Sequence, residues 1–299
     1  MPRVGFLIPE LGRSESQAIK GLRDELQRIG YQDRKNIQLE IRNTKGVRAA
    51  LQPAAIELVN QKVDVILSTG TRATQVAKSA TRDIPIVFIH PADPVSLGFV
   101  KSTVDPGANV TGVAGFALQM TGNRLAIFKE IIPLLQRIYI LYDPNDKFSR
   151  ENFSFTKETA LKSGLQVAGH GVKTSEELKV TFAGLQITKG DALFHIQDNL
   201  IESHVDFIFD VARQKKIPTM FNQEAWAIRG ALAAYGPSYY EMGRQAAGLV
   251  DAIIKGRKPE TLPIQRASKF DFTLNYRTAS FIGVNLSRDM LKKADKVIR

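Results

Sequence analysis

The sequence contains no cysteine. This excludes disulfide frameworks, thiol nucleophiles and thiolate metal sites. Long apolar runs are also missing, since a stretch such as residues 84–90 is far shorter than the ~20 residues that a membrane-spanning helix needs. The sequence therefore predicts neither a cysteine-based site nor a transmembrane helix.

The motifs of common enzyme and cofactor sites are absent as well. The four histidines, His90, His170, His195 and His204, form no HExxH pattern, and His195 and His204 have no obvious third ligand nearby. The sequence has no GxxxxGK[ST] phosphate loop, no GxSxG nucleophile elbow and no GxGxxG fingerprint after Gly5. Because no nucleophile–base pair or acid–base pair emerges either, we expect a protein that is not an enzyme and that holds no metal and no cofactor.

Positive charge is in excess but is not concentrated. Lys and Arg number 41 against 30 Asp and Glu, which gives a formal net charge of +11. No block of five or more like charges occurs, which favours a solvated basic surface over a nucleic-acid-binding groove. The apolar fraction of 43% and the charged fraction of 24% are typical of a globular chain. A length of 299 residues suits two lobes or one large α/β unit.

Short apolar runs alternate with amphipathic segments along the chain. In the first amphipathic segment, Ile19, Leu22, Leu26 and Ile29 recur at helical spacing. The pattern predicts strands at 3–8, 36–41, 63–67, 84–89, 110–113, 136–142, 165–170, 191–196, 219–221 and 269–275. It predicts helices at 16–29, 51–61, 73–80, 121–132, 149–163, 175–185, 200–213 and 239–255, followed by a terminal helical segment.

Continuous apolar strands separated by helices indicate parallel sheets that are covered on both faces. The strands and helices fall into two series that meet near residues 105–120. We therefore predict an α/β protein with two Rossmann-like lobes, joined by a hinge that the chain crosses several times. The expected N-terminal lobe is 1–115 plus 238–268, and the expected C-terminal lobe is 116–237 plus 269–299.

In open parallel sheets, ligands bind beyond the carboxyl ends of the strands. In the first lobe this rule selects Leu11, the Thr69-Gly70-Thr71 turn and the Asp93-Pro94 loop. Gly70 permits a close backbone approach, and Thr71 suits the N-cap of the next helix, so the turn could receive a carboxylate. The alternatives remain open: a capped turn without a ligand, and an ordinary Asp-Pro turn.

The same rule selects four residues in the second lobe. Asn145, Asp198 and Asn199 follow predicted strands, and Tyr235 lies in a turn-like stretch, 235–237, that the pattern places after a later strand. Asp198 could pair with the ammonium group of a ligand. It could equally be the N-cap of the helix that starts near Leu200. The residues at these strand ends offer hydrogen bonding, charge and apolar contact, which indicates binding and not turnover.

The sequence resembles the substrate-binding proteins of a bacterial ABC importer family that includes members linked to tryptophan, tyrosine and phenylalanine uptake. The resemblance covers essentially the whole chain in order. It is carried by residues 4–7, 30–37, 63–71, 84–88, 93–95, 109–112, 234–237, 255–263 and 269–270.

The resemblance implies a type I periplasmic-binding-protein fold whose lobes close on a small solute, with hinge crossings near 113–117, 236–239 and 266–270. It implies an amino acid, aromatic as a first guess, bound by Thr69, Gly70, Thr71, Asp93, Pro94, Asn145, Asp198 and Tyr235. Leu11 and Asn199, which the strand-end rule selects, complete the expected site. It also implies a monomer that meets a membrane permease and no nucleic acid. The protein would act in the periplasm or anchored outside the membrane, with its export signal missing from this sequence. The alternative is the ligand-sensing domain of a transcription regulator with the same fold.

Overall fold

A computed structural model describes residues 1–90 and 92–299. The chain divides into two compact units. Unit 1 comprises Met1–Phe116 and Pro237–Lys269, and unit 2 comprises Ala117–Gly236 and Phe270–Arg299. The chain therefore passes from one unit to the other three times.

The described strands are β1 Arg3–Ile8, β2 Gln38–Asn43, β3 Val65–Thr69, β4 Ile86–His90, β5 Val110–Ala114, β6 Arg137–Tyr142, β7 Gln166–Gly171, β8 Asp191–Phe194, β9 Thr219–Phe221, β10 Ala233–Pro237, β11 Gln265–Arg266, β12 Phe270–Asn275 and β13 Lys296–Ile298. The described helices are α1 Arg13–Arg28, α2 Leu51–Asn60, α3 Thr71–Ala80, α4 Thr121–Ile131, α5 Lys147–Lys162, α6 Ser175–Gly184, α7 Asn199–Glu202, α8 Val205–Gln214, α9 Glu224–Arg229, α10 Tyr239–Ile254, α11 Tyr276–Ile282 and α12 Arg288–Lys293.

Each unit is built on one sheet with helices on its faces. The strand order is β11-β5-β4-β3-β1-β2 in unit 1 and β13-β12-β10-β9-β8-β6-β7 in unit 2. The central strand pairs run parallel in both sheets. This arrangement confirms the predicted α/β fold class of two Rossmann-like lobes.

The two sheets share one winding scheme. The first strand of each series lies between the second and the third, which places the reversal of strand order between β1 and β3 in unit 1 and between β6 and β8 in unit 2. In doubly wound sheets, ligands bind outside the carboxyl ends of the strands at such a reversal. The topology thus directs attention to the loops after β1 and β3, and to those after β6 and β8.

Buried aliphatic and aromatic side chains hold the helices on the sheets. In unit 1 the side chains of β3 and β4 are all buried, and Phe88 packs beside Phe99 with ring centroids 5.4 Å apart. In unit 2 the sheet has a core on each face, one around Phe128 and Phe194 and the other around Phe182 and Phe221. Strands that are buried on both faces explain why the sequence shows continuous apolar runs and not an alternating pattern.

The prediction of a single helix over 200–213 is wrong. The chain forms α7 and α8, separated by a turn at Ser203 and His204. At this turn the amide of His204 donates to the carbonyl of Ile201 at 3.1 Å, and its Nδ1 lies 3.0 Å from the carbonyl of Leu200. These local bonds compete with the regular helical pattern and end α7 early. The terminal segment also differs from prediction, because it adds the edge strand β13 to helices α11 and α12.

Among the described helices, none has both the length and the apolar character needed to cross a membrane.

Candidate functional site

The Thr69-Gly70-Thr71 turn joins the end of β3 to the start of α3. Gly70 has a φ of 81°, in the left-handed region that favours glycine, and the position its Cβ would take faces open space. The hydroxyl of Thr74 and its amide donate to the carbonyl of Gly70 at 3.0 and 3.2 Å. These bonds fix the Gly70 carbonyl toward the helix, so the open side of the turn presents the amino-terminal end of α3.

His90, at the end of β4, holds the Thr71 hydroxyl in place. The amide of Ala92 donates to His90 Nδ1 at 3.0 Å, and His90 Nε2 lies 3.0 Å from Thr71 Oγ1. Burial lowers the pKa of His90 to about 3, so the ring is neutral. Because Nδ1 accepts a hydrogen bond, Nε2 carries the proton and donates to Thr71. The hydroxyl proton of Thr71 is then available to donate to another group.

The expectation that Thr71 is the N-cap of the helix is wrong. Gly70 occupies the N-cap and Thr71 is the first helical residue, because the hydroxyl of Thr71 bonds His90 and not an amide of its own first turn. Thr69 is only 1% exposed, and its hydroxyl has no partner within residues 1–90 and 92–299. A buried hydroxyl without a partner is costly, which marks this turn as unusual.

The other residues predicted in unit 1 have simpler surroundings. The Asp93 carboxylate accepts from the amide of Val95 at 2.9 Å and from the hydroxyl of Ser96 at 3.2 Å, so it closes its own turn. Pro94 is buried, whereas Leu11 is exposed in the loop between β1 and α1. Asp93 thus has the contacts of the ordinary turn that the sequence left open.

In unit 2, the Asp198 carboxylate connects the ends of β6 and β8. It accepts from the amide of Ile201 at 3.0 Å, from the amide of Asp143 at 2.7 Å and from the hydroxyl of Ser149. The first bond makes Asp198 the N-cap of α7, which was the structural alternative for this residue. Asp198 is 4% exposed, and its position at the strand-order reversal agrees with the predicted location of a ligand.

The remaining predicted residues of unit 2 lie at the same edge of the sheet. Asn145 is exposed, and its backbone N–H donates to Asp143 Oδ1 at 2.8 Å. Asn145 therefore lies beside Asp143, whose own backbone N–H donates to Asp198. Asn199 is exposed at the first position of α7. Tyr235 is half-buried in β10, and its ring stacks on Phe270 with centroids 5.9 Å apart.

The site residues predicted from the sequence do not include a cluster of buried polar side chains at the ends of β8 and β9, formed by His195, Asn222 and Glu202. His195 and Asn222 follow these strands and are 3% and 2% exposed. The His195 ring stacks on Phe221 at 4.4 Å between centroids, and its Nε2 lies 3.8 Å from Glu202 Oε1. The sequence signal was present, since both residues directly follow buried strands, but nothing in it indicates that they meet.

The charges around this group favour neutral side chains. Burial, and then the positive charge of Arg124, lower the pKa of His195 well below its ordinary value, while the Asn222 amide acts in the opposite direction. Burial and the charge of Asp198 raise the pKa of Glu202 to about 8. Arg124 is itself buried, and it donates to the carbonyl of His195 at 2.7 Å. Near neutral pH the group therefore offers a neutral imidazole and a protonated carboxyl.

A cleft of about 680 Å³ lies elsewhere in unit 1. Its lining includes residues that precede strands, such as Pro2, Asp64, Pro85 and Asn109. It therefore lies at the amino ends of the strands, opposite to the edge where this fold binds ligands. The cleft is therefore distinct from the candidate site at the carboxyl ends of the strands. In the described part of the chain, no cluster of three or more His, Asp or Glu side chains is arranged to hold a metal ion.

Comparison with known proteins gives consistent matches along the whole chain. The family model described as ABC transporter substrate binding protein matches residues 7–298. A tyrosine-binding protein of Clostridioides difficile (strain R20291) is 30% identical over 285 residues, which is 95% of this chain and 81% of that relative.

Solved structures agree with these matches. The ABC domain from Streptococcus pneumoniae in complex with L-Trp superposes with a TM-score of 0.84 at 25% identity, covering 99% of both chains. The ligand-free, open structure of a substrate binding protein with adhesive properties from Clostridium difficile superposes with a TM-score of 0.80 at 23% identity, covering 100% of this chain and 99% of the other. The chain thus belongs to the family of ABC transporter substrate binding proteins, which bind solutes and are not enzymes.

Proposed function

We propose that the solute of this substrate binding protein is an aromatic amino acid, captured outside the cytoplasmic membrane and handed to the permease of an ABC importer. Two relatives support this choice, since one is named for tyrosine binding and another was solved with L-Trp. The protein would act as a monomer, in the periplasm or anchored at the membrane surface, with no nucleic acid as partner.

The observation that carries the proposal is the turn at the head of α3. Thr71 accepts a hydrogen bond from His90, so its own hydroxyl proton can point to a ligand. The Thr69 hydroxyl is buried and has no partner in the described structure. The positive end of the α3 dipole lies behind both residues. Two hydroxyl donors at a helix amino terminus suit a carboxylate, the group that all amino acids share.

The other predicted residues would line the rest of the site. Leu11, Pro94 and Tyr235 would contact the apolar part of the solute, while Asp93, Asn145 and Asn199 would supply polar contacts. Asp198 already accepts three hydrogen bonds, so we propose that it attracts the solute ammonium group through its charge.

Isothermal titration calorimetry with tyrosine, tryptophan and phenylalanine tests this function directly. We expect at least one of the three to bind, and we expect Thr71→Val to weaken that binding by about tenfold or more because a hydrogen bond to a charged group is lost. Thr71→Ser keeps the hydroxyl and serves as the matched control, which we expect to bind within about threefold of the unaltered protein. If none of the three amino acids binds, the proposed function is wrong.

A further inference from the structure

Several buried polar atoms at the carboxyl ends of β8 and β9 lack hydrogen-bond partners. Within the described structure, Nδ1 and Nε2 of His195, Oδ1 of Asn222 and Oε1 of Glu202 make no hydrogen bond of good geometry, although His195 lies close to both Asn222 and Glu202. His195 and Asn222 are each more than nine-tenths buried. Most buried polar side-chain atoms in native proteins are paired, because an unpaired one costs about 1–3 kcal/mol. A concentration of them in one place therefore points to a ligand.

These atoms adjoin residues that were already predicted to contact the solute. Glu202 lies one helical turn after Asp198, and its amide donates to the Asp198 carbonyl at 2.9 Å. The backbone of Asn222 lies against Gly236, where an added Cβ would come within 1.8 Å of the Asn222 carbonyl oxygen. Gly236 directly follows Tyr235, so the polar group is flanked on both sides by the predicted site.

We propose that His195 and Asn222 form a subsite in unit 2 that hydrogen-bonds a polar atom on the ring of the solute, and so selects ring-hydroxylated or indole amino acids over phenylalanine. This inference rests on the proposed function and names the chemistry that the same site would recognise. His195 and Asn222 act as specificity-determining residues, and neither belongs to the site residues predicted from the sequence.

The donors and acceptors of the subsite fit a phenol. A neutral imidazole has one N–H donor and one nitrogen acceptor, and Asn222 Oδ1 is an acceptor. A phenolic hydroxyl can donate to Asn222 and accept from His195 at the same time. An indole N–H can only donate, and a phenyl ring can do neither. The stacking of His195 on Phe221 keeps the imidazole in a fixed plane, which makes the recognition directional.

Tyrosine and phenylalanine differ by one hydroxyl, so their relative affinity is the first measurement. We expect the unaltered protein to bind tyrosine at least about tenfold more tightly than phenylalanine in calorimetric titrations, since phenylalanine would leave the buried polar atoms without partners. Equal dissociation constants for the two amino acids would overturn the inference, and this result needs no variant.

Two variants then assign the discrimination to specific residues. Asn222→Leu removes the amide at similar volume, and His195→Phe removes both ring nitrogens while preserving an aromatic ring against Phe221. We expect each to reduce the preference for tyrosine to about threefold or less, mainly by weakening tyrosine binding. Asn152→Leu is the matched control, because Asn152 is 4% exposed in the same unit and its side-chain amide donates to the Phe148 carbonyl of its own helix at 2.8 Å.

The outcomes separate this inference from the proposed function. If tyrosine binds and both variants keep the preference of the unaltered protein, the subsite is wrong while the proposed function stands. If no aromatic amino acid binds the unaltered protein, both are wrong. Circular dichroism spectra of the variants establish that each has folded. If one variant fails to fold, the other variant and the unaltered protein still test whether the subsite selects tyrosine over phenylalanine.

Discussion

At the scale of single residues, the buried His90 side chain both orients Thr71 and packs in the core of unit 1. Its buried ring accepts from the Ala92 amide and donates to Thr71, which orients the hydroxyl that we propose as a carboxylate donor. The Phe99 ring packs against the same imidazole in a T-shaped arrangement, with centroids 5.6 Å apart and planes at 87°. Removing the ring should therefore disturb both the solute site and the packing of unit 1.

The depressed pKa of His90 has a consequence for stability. The folded protein keeps this ring neutral down to a pKa of about 3, whereas the unfolded chain protonates it near 6.5. Below pH 6.5 the unfolded state therefore binds more protons and gains population, so the contribution of His90 to stability falls as the pH falls. Above about pH 7.5 this contribution does not change with pH.

We expect His90→Gln to remove this part of the pH dependence. Relative to the variant, the unaltered protein should lose up to about 1.4 kcal/mol in free energy of unfolding for each pH unit below 6.5. Denaturant unfolding at pH 7.5, 6, 5 and 4 measures the difference between the two proteins. Both proteins share every other titrating group, including His195 and Glu202. The difference between their free energies of unfolding therefore reports on His90 alone. Parallel stability curves over this range would contradict the assignment.

The sequence could indicate some of the site residues but not their partners. Thr69, Gly70 and Thr71 stand out because a polar turn with a glycine follows a buried strand. Thr71 was wrongly expected to cap its own helix, because its partner His90 lies 19 positions further along the chain. His195 and Asn222 lie 27 positions apart in the sequence. The parallel pairing of β8 with β9 brings them together.

At the scale of elements, the contact between α1 and α10 depends on two glycines. A Cβ on Gly21 would lie 1.9 Å from the carbonyl oxygen of Tyr240, and a Cβ on Gly243 would lie 2.0 Å from that of Ala18. The helices thus pack with their backbones in direct contact, and the Arg244 guanidinium bonds Glu25 across them at 2.9 and 3.0 Å. This contact docks the late segment 239–254 onto the first helix of the same unit.

We expect Gly21→Ala to destabilise the protein by about 1–3 kcal/mol, because the new methyl group must push the helices apart. The higher helix propensity of alanine, about 1 kcal/mol, offsets only part of this cost. Gly248→Ala, in α10, is the matched control, since nothing lies within 4 Å of its added Cβ. That variant should gain about 0.5–1 kcal/mol. Equal changes in the midpoint of thermal unfolding would show that propensity and not packing determines both effects.

Element boundaries were predictable where one buried face dominates. The predicted helix 239–255 agrees with α10 to within one residue, and the predicted strand 219–221 matches β9. The break between α7 and α8 was not predictable from apolar spacing, because both helices present buried residues to the same core. What ends α7 is the local bonding of Ser203 and His204, which leaves the periodicity of the apolar residues unchanged.

At the scale of the whole molecule, two units of the same winding are connected by three passages of the chain. The composition and the alternation of strands and helices predicted this architecture, because strands buried on both faces leave continuous apolar runs that the sequence displays directly. The identity of the solute does not follow from this pattern. It depends on a few polar atoms at strand ends, and their arrangement follows from the register of the sheets and not from any local pattern.

Solute binding should be visible as a change in the stability of the entire protein. A ligand that binds only the folded state at 100 times its dissociation constant stabilises it by about 2.7 kcal/mol, which for units of this size raises the melting temperature by roughly 5–10 °C. We expect tyrosine or tryptophan to produce such a shift, increasing with the logarithm of concentration, and glycine and glutamate to produce much less at equal concentration. Thr71→Val should require about tenfold more amino acid for the same shift, while Thr71→Ser should follow the unaltered protein.

A shift of the same size with glycine would contradict the proposed aromatic preference. It would mean that the turn at α3 binds the carboxylate of any amino acid and that the aromatic ring adds no binding free energy.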